Sequence, residues 1–144
     1  MSKKFKTAER LLYTYPLNVM RLREARYSLW RLRLETDCHA QRYEASCAGA
    51  GTHSDPPGQY VQQITVLEER EAEYLRATET IRDIRYRLGR SCEKVDAQKL
   101  SVMELHYFER RTLKQLAFHL QMSERTVFRR RDELIGQVID EMKL

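Results

Sequence analysis

The chain has 144 residues, 42% of them apolar and 33% charged, with a formal net charge of +5. That length suits one ordinary domain or two small helical modules, and the high charge points to a thin core shared by helices exposed over most of their surface. No segment approaches the ~18 consecutive apolar residues of a membrane span, and the basic start Met1-Ser2-Lys3-Lys4-Phe5-Lys6 lacks the apolar run of a signal peptide. Membrane-spanning and secreted classes are therefore disfavoured, and a cytoplasmic location is expected.

The charge is unevenly spread. Residues 1–34 carry nine Lys/Arg against two acids, 35–108 carry nine against thirteen, 109–131 carry seven against two, and 132–144 carry one against four. Two basic segments around an acidic middle suit a polyanion-binding footprint, although Arg-rich helices are also simply soluble. The three cysteines, Cys38, Cys47 and Cys92, are an odd number and are expected to remain thiols.

In chain order, Thr7 to about Glu35 reads as a helix with a break or kink near Pro16. Beyond the proline, Met20, Leu22, Ala25, Leu29, Leu32 and Thr36 recur at three- and four-residue steps. From Thr36 to Gly58 the periodicity stops, and Ala48-Gly49-Ala50-Gly51 and Ser54-Asp55-Pro56-Pro57-Gly58 predict a mobile connector. A second long helix is predicted over Gln59 to Leu88. Its heptad seam is Tyr60, Leu67, Tyr74, Ile81 and Leu88, filled in by Ile64, Ala77 and Ile84 and interrupted by Glu71 and Arg85; Gly89 is its expected stop. The two helices can fold on each other as an antiparallel, coiled-coil-like hairpin, or pair between chains; the heptads allow both.

From Val95 onward three helices are predicted. The first spans about Asp96 to Phe108, with Leu100, Met103 and Tyr107 on one face. After Glu109-Arg110-Arg111, Thr112 supplies an N-cap with Gln115 as its capping-box partner, opening a two-turn helix over Leu113 to Leu120. Gln121-Met122-Ser123 follows, and Ser123 caps a last helix running to about Met142. A short helix, a three-residue turn and a capped longer helix form the helix-turn-helix layout, with Leu116, Ala117, Leu120, Met122 and Val127 where that motif needs apolar or small residues. Two positions depart from it. Gln121 stands where Gly is commonest because the backbone takes positive φ, and Arg130 stands at a usually apolar position, so its stem is expected along the core with its head outside.

The fold class is thus all-α: a long antiparallel helical hairpin and oligomerisation region over 1–90, with the loop at about 36–58, then a helix-turn-helix module over 91–144. Residues Leu100 to Leu134 resemble region 4 of bacterial sigma factors. The residues carrying the likeness are Val102-Met103-Glu104-Leu105-His106-Tyr107-Phe108, Thr112-Leu113-Lys114-Gln115-Leu116-Ala117 and Ser123-Glu124-Arg125-Thr126-Val127; His106 stands where that family usually has Arg. The whole chain resembles phage late-gene transcriptional regulators of the RinA and ArpU type in length and layout. The resemblance implies a sequence-specific DNA-binding regulator, an activator of late genes, with host RNA polymerase as a possible partner.

A helix in the major groove reads bases with its first exposed turns. Glu124, Arg125, Phe128 and Arg129 are the expected base-reading residues, with Asp132 also outward. Arg125 and Arg129 can each grip a guanine edge, Glu124 can accept from a cytosine amino group, and Phe128 can meet a thymine methyl. Arg110, Arg111, Lys114, Ser123, Thr126, Arg130 and Arg131 are expected on the DNA backbone. The simpler account of Phe128 is burial, and of the Arg129-Arg130-Arg131 run a solvated face.

Enzymatic activity is not expected. His39, His53, His106 and His119 pair with no nucleophile at a recognisable spacing, and no Gly-rich phosphate loop occurs. Zinc ligation by Cys38, His39, Cys47 and His53 matches no familiar spacing, so neither metal nor cofactor is assigned. The predicted partners are double-stranded DNA and further copies of the chain. The rival readings are a factor that docks on RNA polymerase with little base reading of its own, and a small DNA-packaging subunit.

Overall fold

The computed structural model describes residues 2–45 and 56–144, with side chains described for 2–38 and 58–144. The described residues are all-α. The elements are α1 (Lys3–Ala45), α2 (Pro56–Arg90), α3 (Lys94–Ser101) continuing into a π-helical segment (Val102–Phe108), α4 (Leu113–His119) and α5 (Glu124–Met142). None of these helices is long and apolar enough to cross a membrane.

The ends of the two long helices and the place of Pro16 differ from the sequence reading. Pro16 lies inside α1 without ending it. A proline removes one backbone bond to the residue four back, and here that local loss is outweighed by fixed neighbours, since Ala8, Leu12 and Tyr15 are all buried. The predicted connector of 36–58 is helical at both ends, because α1 runs to Ala45 and α2 begins at Pro56. Residues 37–45 contain no Gly or Pro and are rich in helix formers, while Pro56 and Pro57 sit in a first turn, where a missing N–H leaves no bond unmade. The rest of the connector, 46–55, lies outside the described residues. At the far end α2 passes through Gly89 and stops one residue later, at Arg90.

The chain divides into two compact units, one made of Met1–Asn18 with Arg76–Leu144 and the other of Val19–Leu75. The division expected after residue 90 is not the one that the contacts follow. In the first unit, Ala8, Leu12 and Tyr15 of α1 and Ile81, Ile84 and Leu88 of α2 are buried, as are Val102, Met103, Tyr107, Leu116, Ala117, Val127, Leu134, Ile135 and Val138. The end of the heptad seam is therefore core of the unit that holds α3–α5. Arg87 pairs with Glu141, and Arg85 with Glu104 at 3.1 Å.

In the second unit Leu22, Ala25 and Leu29 of α1 are buried, as their three- and four-residue spacing predicts. Arg26 pairs with Glu71 at 3.2 Å and Arg33 with Glu68 at 2.8 Å, so the partners run in opposite order along α1 and α2.

Candidate nucleic-acid interface

The geometry of α4 and α5 begins with their caps. The backbone N–H of Gln115 donates to Thr112 Oγ1 at 3.1 Å, and the N–H of Thr112 donates to Gln115 Oε1 at 3.0 Å. This reciprocal box satisfies two donors that a helix start leaves open. Between the helices Gln121 takes φ 53°. Its N–H donates to Phe118 O at 3.3 Å, and that of Met122 to Ala117 O at 2.9 Å. The pair closes α4 as a Schellman motif, with the left-handed residue just past the C-cap. Ser123 Oγ then accepts from the N–H of Thr126 at 3.2 Å and contacts Thr126 Oγ1 at 2.7 Å, which starts α5. Both hydroxyls, expected on the DNA backbone, are here engaged in the cap.

The inner face of α5 buries Val127, Leu134, Ile135 and Val138. A helical repeat of 3.6 residues turns the opposite face outward. Arg125, Thr126, Phe128, Arg129 and Asp132 line one shallow groove on that face, together with Glu133. Glu124, Arg125 and Arg129 are exposed, and Phe128 is 41% exposed. The guanidinium groups of Arg125 and Arg129 make no ion pair or hydrogen bond among the described residues. Two free forks one turn apart, beside an aromatic ring, form a cationic surface able to meet an anionic partner with planar hydrogen bonds.

The neighbouring arginines are placed differently from the phosphate-facing positions expected of them. The side chain of Arg130 is only 15% exposed; its Nε donates to Gln98 Oε1 at 2.8 Å, and it pairs with Glu133 at 3.0 Å. Both stem and head are packed, rather than the stem alone. Arg131 is equally covered, pairs with Asp132 at 2.9 Å, and lies 5.0 Å from the Phe128 ring and 5.5 Å from that of Phe5. A guanidinium over aromatic faces is held by the ring quadrupole, so Arg131 fixes Phe128 rather than projecting past it.

A second exposed set surrounds α4. Arg111, Lys114, Gln115, Phe118 and His119 line a shallow groove. Lys114 is exposed and has no ion pair among the described residues, whereas Arg111 pairs with Glu109 at 3.2 Å. Arg110, with φ 62°, stacks its guanidinium 4.6 Å from the Tyr13 ring. Phe118 is 90% exposed and was not singled out by the sequence reading. Its signal was present: Leu113, Leu116, Ala117 and Leu120 take the inner side of a two-turn helix, which leaves position 118 on the outer one.

His106 bridges Tyr13 and the α3–α4 connection. Its Nε2 lies 3.0 Å from Tyr13 Oη and its Nδ1 2.7 Å from Arg111 O. A carbonyl oxygen only accepts, so Nδ1 donates to Arg111 O. Burial raises the Tyr13 pKa, and Glu9 adds to the rise against the opposing pull of Arg110 and Arg131. Of the cysteine and histidine set considered for zinc, only Cys38 has a described side chain, and it is exposed; His39, Cys47 and His53 lie outside the described side chains. Compared with known proteins, the chain matches no family model, no curated protein and no solved structure.

Proposed function

We propose that α4, the turn at Gln121–Ser123 and α5 form a DNA-binding helix-turn-helix, and that the chain is a sequence-specific transcriptional regulator. The observation that carries this reading is the pair of free guanidinium groups, Arg125 and Arg129, on the exposed first turns of a capped helix. In the major groove each fork suits the O6/N7 edge of a guanine, and Phe128, steadied by Arg131, suits a thymine methyl. Lys114, Arg111 and the exposed Arg110 supply phosphate contacts that set the register without reading bases. The likeness of Leu100–Leu134 to sigma region 4 supports the same assignment, and the resemblance of the whole chain in length and layout to RinA- and ArpU-type regulators suggests activation of phage late genes.

The deciding experiment is selection of bound duplexes from a random pool by the purified protein at moderate salt. Enrichment of a defined motif supports the reading, and binding without enrichment rejects it. A docking factor for RNA polymerase is the second reading, favoured by the near-complete exposure of Phe118. It predicts no motif from the protein alone and a defined site once polymerase is added.

A further inference from the structure

Helix α1 carries two apolar stripes in the second unit. One, Leu22, Ala25 and Leu29, is buried. The other, Met20, Tyr27, Trp30 and Leu34, is between 50% and 60% exposed. At 100° per residue the second stripe falls within one narrow sector, nearly opposite the first. It repeats as a heptad seam: Met20, Tyr27 and Leu34 occupy one core position, and Arg23, Trp30 and Asp37 the other. It extends over about 21 Å of helix. The Tyr27 and Trp30 rings already lie 5.9 Å apart within one chain, forming an aromatic step in water. Contiguous exposed apolar surface of this kind marks an interaction site.

We infer that this stripe is a self-complementary interface, on which a second copy of the chain packs its own α1 antiparallel about a two-fold axis near residues 28–29. The charges select both occupant and direction. In a parallel pair Arg23 would face Arg23 of the partner subunit and Asp37 would face Asp37 of the partner subunit, two like-charge layers inside the seam. Reversing one helix removes both clashes. Tyr27 then lies against Trp30 of the partner subunit, Leu34 against the stem of Arg23 of the partner subunit, and Met20 against Asp37 of the partner subunit. On the flank, Arg31, which in the single chain pairs with Glu35 at 3.3 Å on the exposed surface, exchanges that acid for Glu24 of the partner subunit, and the symmetry makes that pair twice. The basic end, Arg21 and Arg23, meets the acidic end, Glu35 and Asp37 of the partner subunit. On the other flank Arg26 and Arg33 would repel their counterparts, but each is held by an acid of its own chain, Glu71 and Glu68. A patch that satisfies itself under a two-fold rotation closes as a dimer. This interface is separate from the proposed DNA-binding face, because no residue of α4 or α5 takes part.

Trp30 is the single tryptophan of the chain and sits at the centre of the seam, so it reports its own burial. The full-length protein, kept reduced because Cys38 and Cys92 are exposed thiols, is followed by sedimentation velocity and Trp emission from about 0.1 to 100 μM, the range that a micromolar contact spans. The expected result is a rise from a 17.2 kDa species to twice that mass, with a blue shift of Trp emission over the same concentrations. Tyr27→Glu, which retains the reporter, should weaken association at least about tenfold, as loss of a central aromatic does, with far-UV circular dichroism unchanged. Glu24→Arg should also weaken it, and Glu24→Arg combined with Arg31→Glu should restore it. A monomer at every concentration, or an assembly that survives Tyr27→Glu, overturns the interface. Indifference to Glu24→Arg overturns the antiparallel register.

Discussion

The hydroxyl of Tyr107 donates to Oε1 of Glu9 at 3.2 Å, a bond between residues 98 positions apart in the chain. Tyr107 is wholly buried, and its ring meets that of Tyr13 edge-on at 4.8 Å. This contact seats the first turns of α1 in the unit that also holds α3, α4 and α5. The start of the chain also reaches α5, where the Phe5 ring lies 5.5 Å from the guanidinium of Arg131.

Burial, and next the Glu9 carboxylate, push the Tyr107 pKa strongly upward. A phenol held neutral in the folded state stabilises the fold fully below its unfolded pKa of about 10. As pH rises past that value the unfolded chain loses the proton first, so stability falls with rising pH, by up to about 1.4 kcal/mol per unit for one such group. Denaturant titrations between about pH 8 and 11 should show this alkaline decline. Tyr107→Phe should make it shallower, leaving the share of Tyr13, while costing about 1–2 kcal/mol near neutrality through the lost hydrogen bond.

Arg129 and Arg130 are adjacent in sequence but should behave oppositely. Arg129→Ala removes an exposed, unpaired fork, so it should change stability by less than about 0.5 kcal/mol and relax base preference at one position by about 1–3 kcal/mol. Arg130→Ala breaks the packed contacts to Gln98 and Glu133 and should cost about 1–3 kcal/mol of stability with base preference kept. Thermal melts and binding to matched and mismatched duplexes separate the two. An equal loss on every duplex for Arg129→Ala would reject its base-reading role.

Lys114→Ala should weaken binding to all duplexes alike. If the ammonium group neutralises one phosphate, the slope of log K against log salt becomes shallower by about 0.9. Titrations at several salt concentrations measure this directly, and an unchanged slope places Lys114 away from the DNA backbone.

The turn offers a test of the fold alone. Gln121 holds φ 53°, a conformation that a side chain disfavours and glycine tolerates. Gln121→Gly should raise stability by about 0.5–1 kcal/mol and leave the selected DNA motif unchanged. A destabilised variant would mean that the Gln121 side chain contributes more than its backbone strain removes.

Features that depend on near neighbours along a helix could be read from the residues alone. The all-α class, the Thr112–Gln115 box, the Ser123 cap, the left-handed residue at 121 and the inner face of α5 were all legible, because each depends on residues no more than four apart or on a 3.6-residue period. Contacts between distant segments were not. The passage of α1 through Pro16 was decided by burial of Leu12 and Tyr15, and the allegiance of residues 1–18 by Tyr107 and Glu9. Arg130 and Arg131 were drawn from solvent by Gln98, Phe5 and Phe128. A periodic pattern marks which face of a helix is apolar, but which element covers that face is a long-range free-energy balance that emerges only when the folded chain brings distant segments together.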